Sequence, residues 1–319
     1  GVQTCALPIS CPYKFFARYG LLAKERKDAK LKSVDVGNVL HKVAELYVKN
    51  EKKIAKIATE AEKEKYVDGL ISFVFETERV KSATNKHMLV SLASEAKRLT
   101  KALDFQSALS MFVPVGEELR FGDKTGNAVK LSSGIKIEGK IDRLDECGND
   151  FRVIDYKTGQ IELSPSAVYY GKKVQLFVYL LAEANRGKRP IGAFYLPIRN
   201  TYVDETEGDF LQSYKMQGYF VNDVEAIVKM DKSLSLDSAK SKVIDVALST
   251  SKESKKTGEV KVNAKNYILS EELFNGALRY IFDLCSLATK EILAGNIEAS
   301  PLELGSKEEC EYCEFRSAC

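Results

Sequence analysis

Two acids and a lysine lie in neighbouring apolar runs near the middle of the chain. Asp142 lies in the run 135–144, and Asp155 and Lys157 end the next run, 151–157. Adjacent strands would bring the three side chains to one edge of a sheet. Two carboxylates can hold Mg²⁺ through oxygen, and the cation can activate a water for attack on a phosphate. A lysine stabilises the charge that develops. The triplet is typical of a metal-dependent phosphodiesterase, although similar triplets also occur on solvated hairpins.

The elements around the triplet predict an α/β fold. Apolar residues at helical spacing predict helices over 11–22, 38–64, 64–82 and 85–111. Strands are predicted at 115–121, 135–144, 151–156 and 191–198, with one helix over 165–184 before the last of them. The first three strands can form an antiparallel meander. The helix then crosses over and places the fourth strand parallel to one of them.

The whole chain divides into regions of different composition. We expect a helical part over about 11–112, a catalytic core over about 113–200, a looser polar insertion over about 203–266, and a helix with a cysteine-rich end over about 267–319. Together, residues 10–319 are predicted to form a single domain. Residues 1–9, including Cys5, fit poorly with the rest of the chain, and we interpret them as a non-native remnant.

Composition limits the class of protein only loosely. The chain has 319 residues, of which 45% are hydrophobic and 29% charged, with a net charge of +3. Such a chain can bury a substantial core. A nearly balanced charge gives weak support for nucleic-acid binding, so any DNA groove must come from local clustering. No stretch approaches the length of a membrane-spanning helix.

Four of the seven cysteines have spacing suited to a metal centre. Cys310, Cys313 and Cys319 form a C-x2-C-x5-C cluster, and Cys11 lies near the other end. A disulfide framework does not fit a chain of this size without signs of secretion. Four thiolates can bind structural zinc or a [4Fe–4S] cluster, and the spacing does not distinguish these. We expect the two cysteines at 147 and 285 to be unliganded.

Three more residues become interesting only in combination with the triplet. Gln175 and Tyr179 lie four apart on the predicted helix after it and therefore share a face. His41 lies in the first turn of a predicted helix, and imidazole is a common metal ligand. Each of them alone is more typical of an ordinary half-buried or surface position.

The combined motifs resemble the RecB-type nucleases of the PD-(D/E)XK superfamily. They are, in order, Asp35-x-Gly37-x3-His41, Glu118-x2-Phe121-Gly122, Gly139-x2-Asp142-Arg143, Asp155-Tyr156-Lys157-Thr158-Gly159 and Gln175-x3-Tyr179. The cysteine pattern, with Tyr214-x3-Gly218 and Met230-Asp231, resembles the C-terminal nuclease domain of the AddB subunits of bacterial AddAB helicase–nucleases. The resemblance covers nearly all of residues 10–319. It implies a restriction-endonuclease-like core, in which a mixed sheet is flanked by helices, with an N-terminal helical region and a C-terminal iron–sulfur cysteine knot.

The resemblance also implies roles for individual residues. His41, Asp142, Asp155 and the carbonyl of Tyr156 would bind Mg²⁺ or Mn²⁺. Lys157 would position the attacking water or stabilise the transition state. Glu118 would be a supporting acid, and Gln175 and Tyr179 would contact DNA or orient the lysine. The [4Fe–4S] ligands would be Cys11, Cys310, Cys313 and Cys319.

The implied activity is hydrolysis of the 5′-ended single strand of DNA during double-strand-break repair by homologous recombination. The implied partners are single-stranded DNA from unwound duplex ends and the AddA helicase–nuclease subunit, in the bacterial cytoplasm. Three alternatives stay open. They are a CRISPR-associated iron–sulfur exonuclease, a non-catalytic DNA-binding scaffold, and a zinc-stapled protein of unrelated function.

Overall fold

The computed structural model describes most of the chain in thirteen segments. They are residues 2–3, 11–23, 33–78, 80, 86–184, 186–199, 210–234, 239–249, 261–264, 267–304, 307–308, 310 and 313–316. Most of the predicted N-terminal remnant and much of the predicted insertion lie outside these ranges. So do Cys5 and the predicted cluster ligand Cys319.

Helices dominate the first third of the chain. The described helices are α1 (Pro12–Phe15, followed by a π-helical turn over Phe16–Gly20), α2 (Ser33–Lys49), α3 (Glu51–Ile54), α4 (Glu60–Thr77), α5 (Lys86–Leu109), α6 (Pro165–Tyr169), α7 (Gln175–Ala184), α8 (Val224–Met230) and α9 (Glu271–Leu293). None of the described helices is long and apolar enough to cross a membrane.

Two helices predicted as continuous are interrupted. The predicted helix over 38–64 stops at Asn50, whose side-chain amide donates to the carbonyl of Leu46 at 2.7 Å, and Thr59 then caps α4. An asparagine that bonds to the preceding turn competes with helix continuation. The predicted helix over 165–184 is divided into α6 and α7, because the N–H of Lys172 turns back to the carbonyl of Ala167 at 2.8 Å.

Eight of the described strands form one mixed sheet. The strands of the chain are β1 (Val2–Gln3), β2 (Val113–Phe121), β3 (Val129–Lys130), β4 (Lys136–Cys147), β5 (Asp150–Lys157), β6 (Arg189–Pro197), β7 (Gln217–Val221), β8 (Ala239–Lys240), β9 (Val246–Ser249), β10 (Lys261–Ala264), β11 (Tyr267–Leu269), β12 (Glu303–Leu304) and β13 (Lys307–Glu308). The main path runs β1-β4-β5-β6-β7-β11, and β2 and β3 also pair with β4.

The strand directions agree with the predicted meander and crossover. β2, β4 and β5 are antiparallel neighbours, and β6 runs parallel to β5 after the passage through α6 and α7. The predicted insertion differs from expectation, because its residues 217–221 form β7 beside β6 in the central sheet. Their hydrophobic alternation is short, and a pairing partner about 25 residues earlier is not visible from local pattern.

Helices cover both faces of the sheet. The larger core joins α2, α4 and α5 to one face through residues such as Val43, Leu99 and Ile154. The second core joins α7 and α9 to the other face through Phe177, Phe274 and others. The central strand β5 is buried along nearly its whole length, as expected for a strand covered on both faces. The predicted fold class, a mixed sheet flanked by helices, is confirmed.

The close approach of β6 and β7 gives a stability test. A Cβ on Gly218 would lie 2.1 Å from the carbonyl oxygen of Ala193, so Gly218→Ala must push the two strands apart. We expect a loss of about 2 kcal/mol or more in the free energy of unfolding. Gly69→Ala is the matched control, since nothing lies within 4 Å of its Cβ in α4, and it should stabilise by about 0.5–1 kcal/mol. Urea unfolding measures both, and an unchanged midpoint for Gly218→Ala would contradict this strand packing.

Candidate active site

The site begins where β4 and β5 stop pairing. Their ladder ends at Arg143 opposite Ile154, and the next opposed positions are Asp142 and Asp155. Beyond this point the N–H of Tyr156 donates to Oδ2 of Asp142 at 2.9 Å. A side-chain carboxylate therefore replaces the strand as partner of a buried amide, and it is held in one orientation. The sequence prediction that both acids reach one edge of the sheet matches this arrangement.

We call the point at which β4 and β5 separate the β4–β5 fork. His41, Glu118 and Asp142 come together on one side of it. One ligand atom from each lies within 4.8 Å of the others. Nδ1 of His41 is 3.6 Å from Oδ2 of Asp142. Gly37 lies one turn before the histidine, and a Cβ there would be 3.2 Å from Oγ1 of Thr158, so a small residue lets α2 lie against the end of β5. Imidazole and carboxylate donors at this spacing suit a divalent cation.

Glu118 has an unusual backbone conformation. Its φ is 53°, in the left-handed region that side chains other than glycine rarely adopt. Its neighbours Glu117 and Leu119 pair with Arg143 and Ile141, so Glu118 lies across from Asp142. Backbone strain of this kind persists where the surrounding structure requires it and is concentrated at functional sites. Lys140 forms an ion pair with the Glu118 carboxylate.

Lys157 lies on the other side of the fork, in contact with three groups. Its Nζ is 2.6 Å from Oδ2 of Asp155 and 3.5 Å from Oε1 of Gln175, and it lies 5.1 Å from the ring centre of Tyr195. The amide of Gln175 in turn donates to the hydroxyl of Tyr179 at 2.6 Å. Asp155 contacts the lysine and lies outside the three ligand atoms that are within 4.8 Å of one another, but its charge acts on both His41 and Asp142 across the site. The predicted neighbours of the lysine are all brought together.

Burial dominates the ionisation of the site. It raises the pKa of Asp142 and that of Asp155 to about 6 each, despite the opposing effect of Lys157 on both. Burial also lowers the pKa of His41, although Asp155 acts in the other direction. A neutral imidazole keeps a free lone pair for a metal. Two carboxylates that are costly to ionise in the absence of a cation favour the binding of one.

A buried polar cluster in β2, β4 and β5 lies next to the fork. The sequence analysis did not predict it. The hydroxyl of Tyr156 donates to Oε2 of Glu117 at 3.3 Å, and Arg143 bonds to Asp145 at 2.6 Å and 3.1 Å. Arg152 binds the same Asp145 at 2.8 Å. Burial raises the pKa of Glu117 to about 9, so this carboxyl is neutral at pH 7. Alternating charges in a strand resemble a solvated face, so local pattern carried no signal for this buried cluster.

An open groove leads to the fork. Its volume is about 530 Å³, and its lining holds three basic side chains, Arg120, Lys124 and Lys140, and three acidic ones, Asp123, Glu138 and Asp142. Gln175 and Tyr179 also line it. The basic side chains can contact a phosphate backbone, while the acids offset part of their charge.

The predicted cluster cysteines are described only in part. Cys11 is buried, and the N–H of Cys313 donates to the carbonyl of Cys310 at 3.3 Å. Two contacts bring the two ends of the chain together. The N–H of Tyr13 donates to the carbonyl of Glu298 at 3.2 Å, and Arg18 forms an ion pair with Glu314 at 2.7 Å.

The two cysteines predicted to be unliganded lie apart from these terminal segments in the chain. Cys285 is buried in α9, where burial raises the pKa of its thiol to about 12. Cys147 is half-buried at the end of β4. A buried thiol that resists ionisation is a poor metal ligand, because metals bind the thiolate.

Known proteins are similar to this chain over nearly its whole length. A protein of Alkaliphilus metalliredigens, named as a subunit of an ATP-dependent helicase/deoxyribonuclease, is 31% identical over 97% of this chain and 29% of its own length. Proteins with the same name from Alkaliphilus oremlandii and Bacillus cereus are 31% and 29% identical over 97% of the chain. The chain therefore spans about 29% of the length of the first of these relatives.

One solved structure and one family also match. The crystal structure of SSO0001 covers 94% of this chain and 90% of its own, but its TM-score of 0.28 at 13% identity carries no argument. The family described as the PD-(D/E)XK nuclease superfamily matches residues 4–319. With two acids and a lysine meeting at the β4–β5 fork, this chain belongs to the PD-(D/E)XK nuclease superfamily.

Proposed function

We propose that this chain is a metal-dependent deoxyribonuclease domain that hydrolyses phosphodiester bonds of single-stranded DNA. One observation carries the proposal, namely the proximity of Asp142, Asp155 and Lys157 where β4 and β5 separate, beside a groove that holds three basic side chains. The relatives named as helicase/deoxyribonuclease subunits support DNA as the substrate. A scaffold that had lost its activity would have no need to keep two buried carboxylates and a lysine in contact.

The donors present fit a divalent metal such as Mg²⁺ or Mn²⁺. Asp142, Asp155 and His41 would hold it, with the carbonyl of Tyr156 and with Glu118 as the supporting acid. A cation bound there polarises the phosphate and makes a bound water acidic. A neutral imidazole and buried oxygen donors suit that charge.

The remaining residues would act on the substrate, either by contact or by positioning Lys157. The Lys157 ammonium, held by Asp155 and Gln175, is placed to stabilise the negative charge that develops on the phosphate oxygens. Tyr179 fixes the amide of Gln175 and so the direction of the lysine. Arg120 and Lys124 in the groove lining would bind flanking phosphates without reading the bases.

The names of the relatives support a proposal about the larger assembly. We propose that the chain is the nuclease portion of an AddAB-type helicase–nuclease, with AddA as the partner subunit. Its substrate would be the 5′-ended strand released from unwound duplex ends during homologous recombination. The division of the chain into helical part, core, insertion and cysteine-rich end is proposed as one functional domain.

We also propose that Cys11, Cys310, Cys313 and Cys319 hold a structural [4Fe–4S] cluster. The contacts of Tyr13 with Glu298 and of Arg18 with Glu314 bring the two cysteine-bearing segments close together. Thiolates from both ends would close almost the whole chain into one loop, which restricts the unfolded state.

Lys157→Ala should lower the rate of single-strand cleavage by at least about 100-fold, because it removes the cation that faces the developing charge. Asp142→Ala should do the same by removing a metal ligand. The assay is cleavage of end-labelled single-stranded DNA in Mg²⁺ by protein purified without oxygen, and the label position reports polarity. Lys97→Ala is the control, since Lys97 pairs with Asp68 on the helical surface at 2.6 Å. Full activity in Lys157→Ala would overturn the site assignment.

Metal affinity should depend steeply on pH. The pKa of Asp142 and that of Asp155 are about 6 in the folded chain. Both carboxylates must lose their protons to bind Mg²⁺, so the affinity at pH 5 should be roughly 100-fold below that at pH 7.5. In metal-free protein, folding stability changes with pH in the opposite direction to Mg²⁺ affinity. Their contribution to stability is greatest below about pH 4 and is lost as the pH rises through 6.

Thermal unfolding with and without Mg²⁺ between pH 5 and 7.5 measures both effects. The Mg²⁺-induced rise in Tm should shrink toward pH 5. The double variant Asp142→Asn/Asp155→Asn should show neither the Mg²⁺ effect nor this pH dependence. Equal stabilisation of the wild type by Mg²⁺ at both ends of the range would contradict the assigned ligands.

Protein purified without oxygen should contain about four iron and four sulfide per chain. Cys11→Ala should lose both and lower the Tm, since cluster binding is coupled to folding. Cys147→Ser, the control at a half-buried cysteine, should keep them. Stoichiometric zinc with no sulfide would replace the iron–sulfur proposal by a zinc staple.

A further inference from the structure

Three tyrosines form an exposed aromatic cluster near the candidate active site. Tyr169 and Tyr170 end α6, and Tyr280 lies on α9; their exposed fractions are 58%, 46% and 38%. The rings of Tyr169 and Tyr280 stack at 5.2 Å with only 5° between their planes. Tyr170 packs against Tyr169 with its ring nearly perpendicular, at 5.1 Å. We call this group the tyrosine cluster.

The tyrosine cluster is fixed in place as well as exposed. The hydroxyl of Tyr280 donates to the backbone carbonyl of Tyr169 at 2.8 Å, which holds α6 and α9 together. Fixed rings lose little conformational entropy when a flat ligand stacks on them. A preorganised and exposed aromatic surface, larger than the scattered single side chains of an ordinary surface, therefore indicates a binding site.

Its position connects the cluster to the active site. Tyr170 is followed by Gly171, Lys172, Lys173 and Val174, and then by Gln175, which contacts Lys157. Five residues span at most about 18 Å, so the backbones of Tyr170 and Gln175 lie within the length of a few nucleotides of each other. The connection is ordered, because Nζ of Lys173 donates to the carbonyl of Glu162 at 2.6 Å. Both lysines are half-buried, and Nζ of Lys173 also lies 3.5 Å from the Glu162 carboxylate.

We propose that the tyrosine cluster stacks bases of the single strand that enters or leaves the active site. This inference rests on the proposed function and adds the residues that hold the substrate beside the cut. Every base has a π-face, so stacking on tyrosine binds single strands without strong sequence preference. Lys172 and Lys173 between the cluster and Gln175, with Arg120, Lys124 and Lys140 in the groove lining, supply positive charge for contacts with a phosphate backbone. Asp123 and Glu138 in the lining, and Glu162 beside Lys173, offset part of it. That charge favours DNA over an apolar protein segment as the occupant.

The first experiment measures binding without cleavage. Fluorescence anisotropy of a labelled oligo(dT) with the 319-residue chain in EDTA should give an affinity about tenfold lower for Tyr169→Ala and for Tyr280→Ala. Tyr169→Phe should bind like the wild type, because it keeps the ring. Phe73→Ala is the matched control, since Phe73 is 55% exposed on α4, and it should change nothing. Circular dichroism verifies that each variant is folded.

The second experiment separates base stacking from backbone contacts. A series of oligo(dT) strands, each with one abasic site, should reveal one or two positions at which the wild type loses about tenfold in affinity. In Tyr169→Ala these positions should become insensitive, because ring and base contribute one interaction. In Mg²⁺ the same variant should raise KM and leave kcat unchanged.

The two ways in which these experiments can fail are distinguishable. A wild type that binds and cuts single strands, with alanine variants that equal it, would overturn this inference alone and leave the rings as a contact surface for a protein. Additive effects of the abasic site and Tyr169→Ala would likewise exclude direct stacking. A folded, metal-competent wild type that neither binds nor cuts single strands would overturn the proposed function and this inference with it.

Discussion

The site depends on one backbone amide that loses its strand partner. β4 and β5 part after Arg143 and Ile154, and the N–H of Tyr156 must still be satisfied because a buried unpaired amide is costly. Asp142 accepts it at 2.9 Å, which ties a carboxylate to the backbone next to Asp155. The same fork buries both acids and so raises their pKa. Sheet geometry thus determines where the two acids lie. It also makes their charged forms costly unless a cation is near.

Helices on both faces of the sheet position side chains at the fork. α2 brings His41 from one face of the sheet, and α7 brings Gln175 to Lys157 from the other. Below them, Arg143 and Arg152 share the carboxylate of Asp145, and the four bonds among them are fully buried. Burial alone would raise the pKa of Asp145, but the two guanidinium groups hold it below its ordinary value. Breaking such a buried charged cluster is far more costly than its formation is favourable, so it restricts the fork to one geometry.

Local periodicity explains why part of the site was predictable. A strand repeat of two places Asp155 and Lys157 on one side of β5, and a helical spacing of four joins Gln175 to Tyr179. The helix interruptions at Asn50 and Lys172 come from local hydrogen bonds, which a search for apolar spacing does not detect. The pairing of β7 with β6 and the burial of Glu117 depend on partners distant in sequence. The tyrosine cluster has the same character, because Tyr169 and Tyr280 meet across more than 100 residues. Such long-range contacts cannot be predicted from the separate motifs.

Some of the motif residues that carry the family resemblance lie at the candidate active site, and others stabilise the fold elsewhere. Gly218 has no room for a side chain beside β6, and the buried Asp231 accepts bonds from Ser233, Ser241 and the N–H of Lys242. Gly218 lies in β7, two strands from β5 in the sheet, and Asp231 directly follows α8. The contacts between the two ends of the chain have a similar purpose, since Tyr13 and Arg18 reach the last segments. A link that closes a loop of roughly 300 residues removes more unfolded-state entropy than any shorter one, because the entropy of closure grows with the logarithm of length. The cluster proposed at Cys11, Cys310, Cys313 and Cys319 would be such a link, and it would stabilise the fold by restricting the unfolded chain and not by contacts at the fork.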